Sequence, residues 1–333
     1  MDASEALRAD LRKLLGGWPE PAGAVRPIDA AGAPVPPAPS RPADRDGTTH
    51  RVAVPSLRRT ARDADDALPG LFVRPPGPGP FPTVLYCHAH GHDHALGKGE
   101  LVGPRRSLPS GPWGPALAAR GIASLSIDQP GFGERRGQSE SSLAKRYLWW
   151  GDTLFGAMLR ELASALDWLG AHPEVDASRV ATLGLSMGCT TAWWLGALDG
   201  RVAAVAGLCC LADVGELVRT GAHELHGIYL TVPGLLARTS TAEIAGLVAP
   251  RPQLVAVGEA DPLTPPVALA AALGPLRAAY ADAGAPRALE VVREPGGGHR
   301  ETPRMRAETL GFLDRHLLGR HPAPSSGAGP QPA

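Results

Sequence analysis

The sequence predicts an α/β protein with a mostly parallel, eight-stranded sheet and helices on both faces. Three observations carry that expectation. Short apolar and β-branched runs alternate with helical stretches over most of the chain. A Gly-x-Ser-x-Gly pentapeptide stands at one junction between a strand-like run and a helical stretch. An acidic residue and then a histidine follow two later strand-like runs, at the sheet ends where α/β sites gather.

Residues 4–15 put Leu7, Leu11, Leu14 and Leu15 on one helical face, and Gly16-Gly17 ends that helix, so residues 1–18 form an N-terminal helical segment. Residues 19–48 are rich in proline and alanine and read as an extended strap rather than a core element. Strands are expected at 51–54, 71–74, 83–88, 122–127, 179–184, 202–208, 253–258 and 289–293. Helices are expected near 113–120, 152–171, 187–199, 265–283 and 303–318. The first strands follow one another without a helix between them, which makes that edge antiparallel. No internal repeat and no second core is evident, so residues 49–319 read as one domain. Residues 320–333 repeat the strap's composition and read as a disordered tail.

Composition excludes several classes of function. With 333 residues the chain can bury a sizeable core. Its 33 basic and 33 acidic side chains balance, which argues against a nucleic-acid partner. No apolar run reaches the roughly 18 residues of a membrane helix. The first residues lack the cationic start and apolar stretch of a secretory leader. The expected setting is the cytoplasm, with neither nucleic acid nor membrane as partner. Cys87, Cys189, Cys209 and Cys210 lie in apolar runs without C-x-x-C spacing, as reduced, packing cysteines do.

The pentapeptide is Gly184-Leu185-Ser186-Met187-Gly188, after the run 179–183 and before a helical stretch. A chance Gly-Ser-Gly turn does not require that flanking. A nucleophile elbow does, because the turn is too tight for side chains beside a serine held out of the strand. A serine hydroxyl needs a base, and the expected chain order is Ser, acid, His. Asp261 follows the run 253–258 and is the candidate acid, with Glu259 and Asp213 as alternatives. His299 follows the run 289–293 through a glycine-rich loop and is the candidate base, against the alternative of a surface-loop histidine. The backbone N–H groups of Met187 and of His92, in the loop after 83–88, are the candidate oxyanion donors. That loop reads His88-Ala89-His90-Gly91-His92-Asp93-His94. Its Asp and last His are out of register with a dinuclear-zinc pattern, so the cluster is expected to shape the loop, with no metal bound.

These pieces resemble the α/β-hydrolase superfamily, in its dienelactone-hydrolase and acetyl-xylan-esterase-like branch. The matching stretches are His90-Gly91-His92 with Gly97-Lys98, Asp128-Gln129-Pro130-Gly131-Phe132-Gly133-Glu134-Arg135, residues 184–188, Ala249-Pro250-Arg251-Pro252, Asp261 and His299. The resemblance implies the α/β-hydrolase fold, a Ser186-His299-Asp261 triad, and hydrolysis of a small-molecule ester without a cofactor. It departs from many lipases in lacking room for a large helical cap. Residues 209–247, with His223, His226, Tyr229 and Pro233, are the candidate lid, which argues against long-chain lipids. Asp128 and Arg135 read as structural. Trp149, Trp150, Trp193 and Trp194 are candidates for lining an acyl or sugar pocket, although one of the 193–194 pair must face the sheet. The expected activity is a carboxylesterase on small or medium esters. The alternatives are an aminoacyl-peptidase-like hydrolase and a non-catalytic binding protein on the same scaffold.

Overall fold

A computed structural model of the chain describes residues 2–20, 41–42, 48–63 and 65–320. The strap therefore lies largely, and the tail almost wholly, outside the described residues.

Among the described residues, nine strands form one sheet: β1 (Arg41–Pro42), β2 (Thr49–Pro55), β3 (Ala67–Val73), β4 (Phe81–Cys87), β5 (Ala123–Ile127), β6 (Val175–Leu185), β7 (Ala204–Leu208), β8 (Gln253–Gly258) and β9 (Leu289–Glu294). Their order is β1-β2-β3-β5-β4-β6-β7-β8-β9. Pairing is antiparallel from β1 to β5 and parallel from β5 onward. The eight expected strands are all present, and the two-residue β1 adds a short ninth at the edge.

The central strands are buried on both faces, so they read as apolar runs and their side chains alternate between two cores. In β4, Leu85 and Cys87 enter one core while Val84 and Tyr86 enter the other. The first core is covered by α1 (Ala3–Leu14), α4 (Leu154–Ala171), α5 (Met187–Leu198) and α8 (Pro266–Asp282). The second is covered by α2 (Trp113–Ala118) and α9 (Pro303–Leu318). Three further helices are α3 (Glu140–Trp149), α6 (Val214–Thr220) and α7 (Thr241–Gly246). The last two lie within the 209–247 insertion.

Helix α1 docks through both its apolar face and its charges. Leu11 and Leu15 are buried. Arg8 donates to the carbonyls of Ala197 and Leu247 at 2.8 Å each, and Arg12 donates to that of Leu198 at 2.6 Å. Two of these carbonyls close α5, where a helix has no N–H donors of its own left to satisfy them with. The N-terminal segment thus braces the far end of the helix that begins beside Ser186.

Candidate active site

Strand β6 ends at Leu185 and α5 begins at Met187, leaving Ser186 alone in the turn. Ser186 has φ 61° and ψ −121°, a conformation that costs on the order of 1–3 kcal/mol for a residue with a Cβ. Its N–H donates to Leu208 O on β7 at 2.9 Å, which pins it there. A Cβ at Gly188 would stand 1.9 Å from Cys87 O, and one at Gly184 would stand 2.3 Å from Gly188 O. Both flanks of the serine therefore require glycine. Met187 opens α5, so its N–H has no intrahelical acceptor and the helix dipole points at the site.

The predicted acid and base come to the same place. His299 Nε2 lies 2.7 Å from Ser186 Oγ, and its Nδ1 lies 2.8 Å from Asp261 Oδ2. With Nδ1–H donating to the carboxylate, Nε2 is left to accept the serine proton. Asp261 is buried, and its other oxygen accepts the Leu263 N–H at 2.8 Å. The two loops are tied together by Ala260 N–H to Gly297 O (2.9 Å) and Glu259 N–H to Glu294 O (3.0 Å). The alternative acids are engaged elsewhere. Glu259 pairs with Arg293 at 2.8 Å, and Asp213 caps α6 by accepting from Glu216 N–H.

The histidine loop after β4 is a hydrogen-bonded unit. His88 accepts from Gln129 N–H at 3.2 Å and faces Ala89 O at 3.1 Å, and burial pushes its ring below the ordinary histidine value. His90 Nε2 lies 2.7 Å from Glu140 Oε2. Its Nδ1 accepts the His92 N–H at 3.1 Å. That contact corrects one expectation: the His92 N–H is bound within its own loop, to the His90 ring, rather than free for an oxyanion. Gly91, one residue earlier, borders the cleft.

Sequence patterning does not single out Glu140. It bridges the loop to the insertion by accepting from His90 and from Tyr229 N–H (2.8 Å). Burial raises its carboxyl, but the His90 and Tyr229 hydrogen bonds outweigh that and hold it below the usual glutamate value. Among the described residues, His90, His94 and Glu140 bring three potential ligand atoms within 4.8 Å of one another. Asp128 and Arg135 are structural, as expected. Asp128 accepts from Lys98 Nζ (2.6 Å), Lys98 N–H and Glu134 N–H, and Arg135 joins Asp65, Glu161 and Asp128 O.

Ser186 and His299 open into a cleft of about 430 Å³, bordered also by Gly91, Arg105, Arg106 and Arg300. The arginines are the site residues that sequence patterning misses. A separate cavity of about 20 Å³ lies between Trp193, Trp194 and the insertion, and is no larger than a water site. Both of those tryptophans are buried, whereas Trp149 and Trp150 are 88% and 64% exposed and line neither space.

The sequence model of the X-Pro dipeptidyl-peptidase (S15) family matches residues 64–253, more than half of the chain. The chain belongs to this S15 family. Its Ser186 lies inside the matched segment, and Asp261 and His299 lie beyond it. A candidate hydrolase of Bacillus subtilis (strain 168), YtaP, is 39% identical over 221 residues, covering 66% of this chain and 74% of YtaP. The fold is shared with solved esterases. One is a candidate acetyl xylan esterase from Bacteroides fragilis, with TM-score 0.63 and 18% identity over 87% of this chain and 74% of the other. Another is a glucuronoyl esterase from Solibacter usitatus, with TM-score 0.61 and 17% identity over 95% and 94%. This S15 family member is thus a hydrolase of the α/β-hydrolase superfamily, as the sequence motifs imply. No helix among the described residues is long and apolar enough to cross a membrane.

Proposed function

We propose that the protein is a serine carboxylesterase acting on small or medium esters, with Ser186 as nucleophile, His299 as base and Asp261 as orienting acid. The observation that carries this is the unbroken hydrogen-bonded chain from Asp261 through His299 to Ser186 at the wall of an open cleft. Ser186 Oγ attacks the ester carbonyl carbon while His299 Nε2 takes the hydroxyl proton. The carbonyl oxygen becomes an oxyanion facing the Met187 N–H, a type of donor worth about 3 kcal/mol of barrier. The tetrahedral intermediate collapses with cleavage of the ester C–O bond, and His299 gives its proton to the departing alcohol. Water then enters, loses a proton to His299, and releases the acid from Ser186. Asp261 holds the ring in register and stabilises the imidazolium throughout.

The family match favours a second reading, cleavage of a dipeptide from an N-terminus. Such a substrate brings an ammonium group, which needs an acidic or carbonyl-rich anchor. The cleft offers arginines at three positions and one acidic residue, Asp93, which weighs against it. Two measurements test the assignment. Ser186→Ala should remove at least about 10⁴-fold of turnover without loss of fold, and fluorophosphonate labelling of the wild type should be confined to Ser186. An enzyme that hydrolyses an Xaa-Pro-p-nitroanilide but not p-nitrophenyl acetate would replace the esterase reading with the peptidase one.

A further inference from the structure

Arg105, Arg106 and Arg300 border the cleft that holds Ser186, and Asp93 is the one acidic side chain among its lining residues. Its Oδ1 accepts the N–H groups of Ala95 and Leu96 at 3.2 Å, which ties that carboxylate to its own loop. Arg105 is a built feature. Its Nη1 lies 2.5 Å from Glu100, a fully buried carboxylate that also accepts from Tyr86 Oη (2.6 Å) and Ala89 N–H (3.1 Å). Its Nη2 lies against Gly91, where a Cβ would stand 1.8 Å away. One edge of the guanidinium is thus anchored in the core and the other presses on the loop beside the serine. Glu100 offsets the charge of Arg105. Arg106 and Arg300 are exposed, and among the described residues neither has a carboxylate within ion-pair distance.

The two loops that carry these arginines are locked together. Glu301 N–H donates to Ser107 O at 2.9 Å, Arg306 pairs with Glu301 at 3.1 Å, and Arg306 also donates to Gly111 O. Arg106 and Arg300 therefore flank a fixed opening. Guanidinium groups carried on a fixed rim suit carboxylates, which they bind in a planar, bidentate geometry.

We infer that the cleft selects esters that carry a free carboxylate, on the acyl or the alcohol side of the scissile bond. This rests on the esterase assignment above, and the test separates the two. Purified full-length protein is given two matched pairs: methyl butyrate against monomethyl glutarate, and propyl acetate against 3-acetoxypropanoate. Acid release is followed by pH-stat. In at least one pair the anionic ester should have a kcat/KM about tenfold higher than its neutral partner. Which pair responds tells on which side the carboxylate sits. That ratio should fall several-fold between about 0.01 M and about 1 M salt, as the Debye length shrinks from about 30 Å to about 3 Å. It should vanish or invert in the Arg106→Glu/Arg300→Glu double variant, with Arg106→Gln and Arg300→Gln intermediate. A ratio at or below one in both pairs, or one that survives double charge reversal, overturns the inference and leaves the esterase assignment standing. A second readout does not need ester turnover. Glutarate should slow fluorophosphonate labelling of Ser186 more than neutral glutaramide does. Selective protection without turnover of any ester would keep the anion site and remove the esterase assignment, and equal protection counts against the anion site.

Discussion

Replacing Asp261 by Asn probes the candidate site most sharply, because the structure leaves the amide no good orientation. Both carboxylate oxygens of Asp261 are acceptors: Oδ1 takes the Leu263 N–H and Oδ2 takes His299 Nδ1–H, each at 2.8 Å. An Asn whose oxygen stays on the Leu263 N–H presents its NH₂ to His299. The ring must then accept at Nδ1 and carry its proton on Nε2, where it can no longer take the proton of Ser186. An Asn turned the other way keeps the ring tautomer but sets its NH₂ against the buried Leu263 N–H, a loss of about 1–3 kcal/mol for an unsatisfied buried donor. The first arrangement is the cheaper one, so most molecules should hold the wrong tautomer. The expected loss in kcat/KM is about 10³- to 10⁴-fold, or about 4–5 kcal/mol of barrier. The assay is p-nitrophenyl acetate hydrolysis, with circular dichroism to verify the fold and a fluorophosphonate probe to verify slow but specific labelling of Ser186. Glu259→Gln, which loses only a surface pair with Arg293, serves as the control. An Asp261→Asn enzyme with more than a tenth of wild-type activity, beside a crippled Glu259→Gln, would refute the assignment of the acid.

Gly188→Ala should destabilise the fold by about 3 kcal/mol or more in urea unfolding, since its Cβ would overlap Cys87 O on the neighbouring strand. Glu140→Gln should cost about 1–3 kcal/mol at pH 7, because an amide cannot accept from both His90 and Tyr229 N–H. The wild-type carboxyl is held below the ordinary 4.5, so this stability gap is full above about pH 4.5 and closes as the pH falls through the depressed value; a constant gap in unfolding experiments down to pH 3 would contradict the bridge. Burial pushes the thiols up, Cys87 to about 12 and Cys210 to about 11, with Cys189 and Cys209 raised as well. Native protein at pH 8 should therefore resist a disulfide reagent that titrates all four cysteines after denaturation.

Much of this architecture was legible because buried strands announce themselves. Gln253–Gly258 lies on the expected 253–258 run, and β9 extends only one residue past its apolar stretch. Strand β6 starts four residues before its apolar run, at Val175, where polar Asp176, Ser178 and Arg179 hide the strand from a hydrophobicity pattern. Helices α3 and α7 escape the same pattern: α3 buries only Leu143, Ala144 and Tyr147 of its ten residues, and two of the four residues α7 buries are alanines. For α7 a different signal exists: Ser240 and Glu243 form a reciprocal cap, and S-x-x-E is visible in the chain. For α3 the comparable hint is Ser139 capping Ser142 N–H ahead of Leu143 and Tyr147. Ser186, Asp261 and His299 could be located one by one because each lies in the loop or turn that follows a strand. The cleft arginines could not, since Arg105 and Arg106 lie in an irregular loop whose position depends on Glu100 and on the lock to Ser107. The engagement of the His92 N–H depends on which way a neighbouring ring faces, and a sequence carries no record of that.

The histidine loop also has a proton inventory. His88 donates from Nδ1 to Ala89 O and accepts at Nε2, whereas His90 does the reverse, accepting at Nδ1 and donating from Nε2 to Glu140. His94 faces Gly131 O with Nδ1, which must therefore carry its hydrogen. For His88 and His90 the backbone amides dictate the tautomer of the neutral ring. At His88 both the Gln129 N–H aimed at Nε2 and the burial of the ring disfavour a second proton. In a nitrogen-15 spectrum these two rings would carry opposite labels, one protonated at δ and one at ε. The positive charge left unpaired beside the cleft then sits on the guanidiniums of Arg106 and Arg300, since Glu100 offsets that of Arg105.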